Sequence, residues 1–183
     1  MALINTTTTG ILGTTVYGDG QGALTVQKDG VTQGIYGNIP TLHVYKTSGN
    51  QSISSATHTV VSMTGIKYDT CNGWDSTNYR WTPNVAGYYW VNAGADFSVG
   101  SGNITVASID LRKNGTRFTT VNSIWFGTSP MTEIQPTGSG IIYMNGTSDY
   151  LNFTAYISGT SPVVLPGSDG NWTYLQAFLF KAA

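Results

Sequence analysis

Apolar and polar residues alternate along this chain in short runs, with turn residues between them. Over residues 109–114, Ile109, Leu111 and Lys113 fall on one face and Asp110, Arg112 and Asn114 on the other. A period of two is the strand period, because successive side chains leave a strand on opposite faces. No long stretch carries the 3.6-residue stripe of an amphipathic helix. The pattern predicts strands over 42–46, 57–61, 78–82, 87–97, 105–113, 116–120, 138–145, 150–156 and 172–180. Many short strands divided by turn signals predict an all-β sandwich or barrel.

The connections carry their own signals. Residues 82–87 read TPNVAG between two aromatic runs. Proline fixes φ and glycine admits positive φ, so this reads as a hairpin turn. Asn114-Gly115 and Asn145-Gly146 are signals for two-residue type I′ hairpins. In the last strand Trp172, Tyr174, Gln176, Phe178 and Phe180 share one face, and Thr173, Leu175, Ala177 and Leu179 the other. Both faces are largely apolar, which predicts one against the sandwich core and one against another chain.

The first 38 residues differ from the rest. They are rich in Thr and Gly, with brief strands at 14–17 and 23–27 and turns at GDGQG (18–22) and KDG (28–30). They hold too few large apolar residues to build a core. Residues 1–38 therefore read as an extended arm that anchors elsewhere or swaps between subunits, through Ile11, Leu12, Val16, Tyr17, Leu24 and Val26. Residues 39–183 read as the main domain.

Composition narrows the function classes. Charged residues make up 9% of the 183-residue chain and the formal net charge is −1, against about 25% charged residues in ordinary domains. That argues against nucleic acid and anionic membrane surfaces as partners. No run approaches the ~20 apolar residues of a membrane span. The start lacks a basic, apolar leader, so synthesis in a cytoplasm is expected. One cysteine, Cys71, rules out an intrachain disulfide and reads as a free thiol near a turn.

Catalytic chemistry is sparse. The histidines are His43 and His58, and no Gly-x-Ser-x-Gly elbow or zinc spacing accompanies them. GDGQG lacks the Lys-Ser or Lys-Thr of a phosphate loop. A glycan hydrolase needs two carboxylates flanking a cleft, and Glu133 is the sole glutamate. Asp69, Asp75 and Asp149 read as turn aspartates rather than calcium ligands. No enzyme activity and no cofactor is expected. Trp74 and Trp125 could each offer a flat face to a sugar, and Trp125 with Phe126 forms a candidate ligand loop.

Four pieces, in order, carry a resemblance. They are WDSTNYRWTPNVAGYYWV (74–91), IDLRKNG (109–115), GSGIIYMNGTSDYLNF (138–153) and WTYLQAFLF (172–180). Together they resemble the globular head of complement component one-q and, more broadly, the tumour necrosis factor jelly-roll family. The resemblance spans roughly residues 40 to 182. It implies an all-β jelly-roll sandwich and a homotrimer formed through one sheet around a threefold axis. Carried over, Tyr88, Trp90, Trp172, Tyr174, Phe178 and Phe180 are the candidates to line that axis. Two features depart from the pattern. Gln176-Ala177 stand where the family favours small residues, and no collagen-like stem precedes the domain.

These readings converge on a non-enzymatic virion protein, made in the host cytoplasm, of a bacteriophage. The first expectation is a trimeric capsid decoration or cement protein, its arm gripping the major capsid protein or another virion component. The alternative is the receptor-binding tip of a tail or head fibre. Its loops at 122–132 or 159–171 would read a host surface glycan or protein.

Overall fold

Backbone pairing sorts the described residues into three antiparallel sheets. The computed structural model describes residues 14–18, 24–28, 31–36, 39–127, 130–167 and 171–183, the first three stretches as backbone. No helix occurs among the described residues. Strands β1 (Thr14–Gly18), β2 (Leu24–Lys28) and β3 (Val31–Tyr36) form a three-stranded meander. The first two match the brief strands expected there; β3, interrupted by Gly34, carries no period-two signal. These strands hydrogen-bond to one another. Val16 stands opposite Val26, Tyr17 opposite Thr25 and Gly18 opposite Leu24. Ile11 and Leu12 lie outside the described residues.

The main domain follows with β4 (Thr41–Tyr45), β5 (Gln51–Ser52), β6 (Thr59–Val60), β7 (Gly65–Asp69), β8 (Trp74–Asp75), β9 (Arg80–Trp81) and β10 (Ala86–Gly94). Next come β11 (Asp96–Lys113), β12 (Thr116–Trp125), β13 (Glu133–Ile134), β14 (Thr137–Asn145), β15 (Leu151–Leu165) and β16 (Tyr174–Ala182). A five-stranded sheet runs β14-β10-β16-β4-β7. An eight-stranded sheet runs β12-β11-β15-β9-β8, with β13 on β11 and with β5 and β6 on β15. The core lies between the two. Tyr89, Val91, Leu175, Ala177 and Ile142 are buried on the first sheet, and Phe97, Ile109, Leu111, Phe153 and Ile157 on the second. Alternation puts them there, since every second residue of each strand turns inward.

Two expected hairpins are instead crossings between sheets. β9 pairs with β8 and β15, whereas β10 pairs with β14 and β16. The TPNVAG run therefore carries the chain across the sandwich. Trp81 and Tyr89 are both fully buried and meet edge to face at 5.4 Å from opposite sheets. The Tyr89 hydroxyl donates to the Val85 carbonyl at 2.7 Å, pinning the crossing. Gly87 is not among the positive-φ residues. It is needed for close approach, because a Cβ there would collide with the Lys181 carbonyl oxygen.

Asn145-Gly146 likewise links β14 of one sheet to β15 of the other. Only Gly146 has positive φ. The Asn145 carbonyl oxygen of the side chain accepts the N–H groups of Thr147, Ser148 and Asp149 at 2.9–3.0 Å. Such Asx turns mimic a backbone turn. Asn114-Gly115 does form the expected two-residue hairpin, with φ of +52° and +78° between β11 and β12.

Other boundaries move for related reasons. The strand expected at 87–97 breaks at Ala95, where the chain passes from one sheet to the other. The strand expected at 78–82 shrinks to β9, with 76–79 in a turn. β11 and β15 run longer than expected and pair from Asp96–Leu165 to Lys113–Leu151, with a register break between Ser101 and Val106. The ligand-loop stretches at 122–132 and 159–171 are partly strand, since β12 reaches Trp125 and β15 reaches Leu165.

Candidate functional site

The outward face of the five-stranded sheet gathers a row of exposed aromatic residues. Strand alternation that buries Tyr89 and Val91 turns Tyr88, Trp90 and Asn92 outward on β10. On β16 it turns Tyr174, Gln176 and Phe178 outward while Leu175 and Ala177 stay in the core. Register then aligns the outward residues: Tyr88 with Tyr143, Trp90 with Ile141 and Phe178, Asn92 with Gln176, and Gln176 with His43. A register shift between Tyr88 and Tyr89 accommodates the extra residue at Phe180.

These neighbours pack as rings. Trp90 meets Phe178 at 5.4 Å, and Tyr88 meets Tyr143 at 5.4 Å. His43 lies among Tyr68, Tyr45 and Tyr174, with centroids 5.5–6.4 Å away. Asn92 donates to the Tyr174 hydroxyl at 3.2 Å. Phe178 remains 41% exposed and Phe180 62% exposed. Tyr68, Tyr88, Ile141 and Tyr143 are exposed too. A depression of about 460 Å³ lies at its centre, lined by Thr41, Tyr68, Trp90, Gln176 and Phe178.

Of the six interface residues named from sequence, five belong to this face or its margin. Trp172 precedes β16 and lines a different groove, with Asp96, Glu133, Ile134 and Gln135. Sequence reading missed Tyr68, Ile141 and Tyr143. For Ile141 and Tyr143 a signal existed, because strand 138–145 is apolar on both faces, as the closing strand is. For β7, Gly65 to Asp69, the run alternates but is only five residues long, and alternation alone cannot show that Tyr68 faces away from the core.

The remaining chemistry is held in local turns. Asp69 accepts from Trp74 N at 2.8 Å and from the Trp81 indole at 3.2 Å. Asp75 accepts from Asn78 and pairs with Arg80 at 3.1 Å. Asp149 pairs with Lys113 at 2.6 Å and accepts from Asn114 at 2.8 Å. No group of three or more His, Cys, Asp or Glu residues able to hold a metal occurs among the described residues. Burial, then the charge and hydrogen bond of Asp69, push the Cys71 thiol up to about 11. It stays protonated at neutral pH, so it is no thiolate nucleophile. Trp125 stands 78% exposed at the end of β12, while Phe126 packs against the core.

Two packed antiparallel sheets in this strand order define a jelly-roll sandwich. No protein-family model matches the chain. No curated protein matches it either. Solved structures do. The Eiger tumour necrosis factor of S. frugiperda is 12% identical, with a TM-score of 0.59 over 80% of this chain and 95% of that one. The globular domain of zebrafish complement 1qA is 11% identical, with a TM-score of 0.52 over 79% and 99%. Murine APRIL is 12% identical, with a TM-score of 0.53 over 78% and 99%. The fold is thus a jelly roll like those of tumour necrosis factor and complement one-q, as the four sequence pieces implied.

Proposed function

We propose that this chain is a non-enzymatic structural protein. It assembles as a homotrimer through the aromatic face and decorates a bacteriophage capsid, held there by residues 1–38. The aromatic face carries this reading. Soluble monomers rarely leave a contiguous apolar patch of more than a few hundred Å² in water, and rings of this size each bury roughly 150–250 Å² when covered. A second and third copy cover it best, since the resemblance implies a threefold axis at this sheet. The near-absence of net charge suits packing against other subunits. Three arms on one trimer would add avidity for a repeating shell without any new contact.

Light scattering on the full chain and on residues 39–183 tests this. The core residues all lie between Leu42 and Leu179, so the shorter form retains its core. Both are expected at three times their own chain mass, 19.5 kDa for the full chain. The shorter form should no longer co-sediment with capsids. A monomeric full chain would overturn the reading.

A second reading, the receptor-binding tip of a fibre, is favoured by one observation. Trp125 is the most exposed large apolar residue described, and it lies on the sheet opposite the aromatic face.

A further inference from the structure

The outward face of the eight-stranded sheet carries a groove of about 150 Å³, lined by His58, Ser108, Asp110, Arg117, Ser123, Trp125 and Tyr156 among others. We propose that it binds a neutral pyranose sugar, with the Trp125 indole as platform and His58, Arg117 and Ser123 as polar contacts. This deepens the receptor-binding reading and does not depend on the capsid reading.

The residues meet through register. Val106 pairs with Trp125 and Ser108 with Ser123, and Tyr156 stands opposite Ser108 on the other side. A bulge between Ile109 and Asp110 brings Thr120 opposite Asp110. Phe126 packs on the core and Trp125 turns into solvent.

The floor is built around a buried carboxylate. Asp110 is 1% exposed although it sits on the outward face. One oxygen accepts from the Thr120 hydroxyl at 2.6 Å. The other lies 3.0 Å from His58 Nδ1 and 4.0 Å from Arg117 Nη1. The His58 contact has ion-pair distance but not hydrogen-bond alignment, so Oδ2 has no hydrogen bond. The His58 ring also packs on Tyr156 at 4.8 Å. Tyr156 packs the ring and Asp110 Oδ2 lies against Nδ1, so Nε2 is the ring nitrogen left to face a ligand. Asp110 is thus a positioning residue. Arg117, 59% exposed at its side chain, keeps guanidinium donors for a hydroxyl.

A pyranose fits this combination. Its C–H face needs a flat apolar surface, and its rim of hydroxyls needs fixed donors and acceptors beside that surface. The Asp110 carboxylate offsets the Arg117 guanidinium 4.0 Å away, so the groove holds no surplus cation that calls for an acidic sugar. The groove faces away from the aromatic sheet, so trimer assembly leaves it open.

Saturation-transfer NMR on the full chain, with the methyl glycosides of glucose, galactose, mannose and N-acetylglucosamine as probes, tests the proposal. At least one should show transfer. Trp125→Ala should abolish it, and Trp125→Phe should retain a weakened signal. Asp110→Asn should weaken binding at least tenfold with molar mass and thermal midpoint kept. Phe118→Ala, an exposed aromatic on the same strand outside the groove, should bind as the parent does. Absence of transfer from all four probes, or transfer unchanged in Trp125→Ala, overturns the proposal. If no probe binds but Trp125→Ala abolishes adhesion to whole bacteria, the sugar assignment fails and the receptor reading stands. If a probe binds through Trp125 but no adhesion depends on it, the sugar site stands and the receptor reading fails.

Discussion

At Gly87 the backbone of β10 passes so close to β16 that a single methyl group decides the fit. A Cβ there would collide with the Lys181 carbonyl and crowd Leu179 and Ala182. Gly87→Ala should cost about 1–3 kcal/mol, the usual range for overpacking, read as a lower urea midpoint. A change within about 0.5 kcal/mol, typical of an ordinary surface site, would mean that the strand end simply moves aside. Asp96 makes a different prediction. Burial, and after it the charge of Glu133, push its carboxyl up to about 6 from an ordinary 3.8. Between those values the folded chain holds a proton that the unfolded chain has released. Stability therefore falls as pH rises through that window. Asp96→Asn should flatten the decline in unfolding midpoint between pH 4 and pH 7, as measured by denaturant titration at each pH; an equal slope in both proteins would exclude Asp96 as its source. The groove beside it, with Glu133 and Trp172, was invisible in sequence, because Asp96 and Glu133 stand on β11 and β13 and meet only through their pairing.

The alternation of single strands has a larger consequence at the scale of whole elements. β16 sends Leu175, Ala177 and Leu179 into the core and Phe178 and Phe180 into solvent. Replacing Phe178 and Phe180 together by Ser should thus dissociate the proposed trimer with little loss of fold stability. Light scattering should report one chain mass instead of three, and thermal unfolding of the variant should remain cooperative. A variant that stays trimeric would place the interface elsewhere. The two faces of this strand were legible in sequence, since a period of two is local information. The same holds for β11, where Ile109 and Leu111 are buried and Arg112 is turned out to bond Thr154. The partner of each strand was not legible. Trp81 and Tyr89 flank a turn-like run and look like hairpin neighbours, yet each belongs to a different sheet.

Across the whole molecule, the jelly roll places two unlike surfaces on opposite sides of one core. The five-stranded sheet presents aromatic rings, and the eight-stranded sheet presents the Trp125 groove. In the proposed trimer the first would be covered while the second stays open. The sequence by itself determined the all-β class, the two faces of the closing strand and of residues 109–114, the Asn114-Gly115 hairpin and the order of pieces that resembles this fold. Each is a local signal: a period of two, a dipeptide that tolerates positive φ, or a run of residues in order. Only the tertiary structure decided which turns close hairpins and which cross between sheets. It alone brought Tyr68 and Tyr143 onto the face of Trp90 and Phe178, and His58 onto Asp110. Those meetings join residues tens of positions apart. They depend on which strands pair and in what register, and pairing is set by the fit of two complete apolar faces around a shared core.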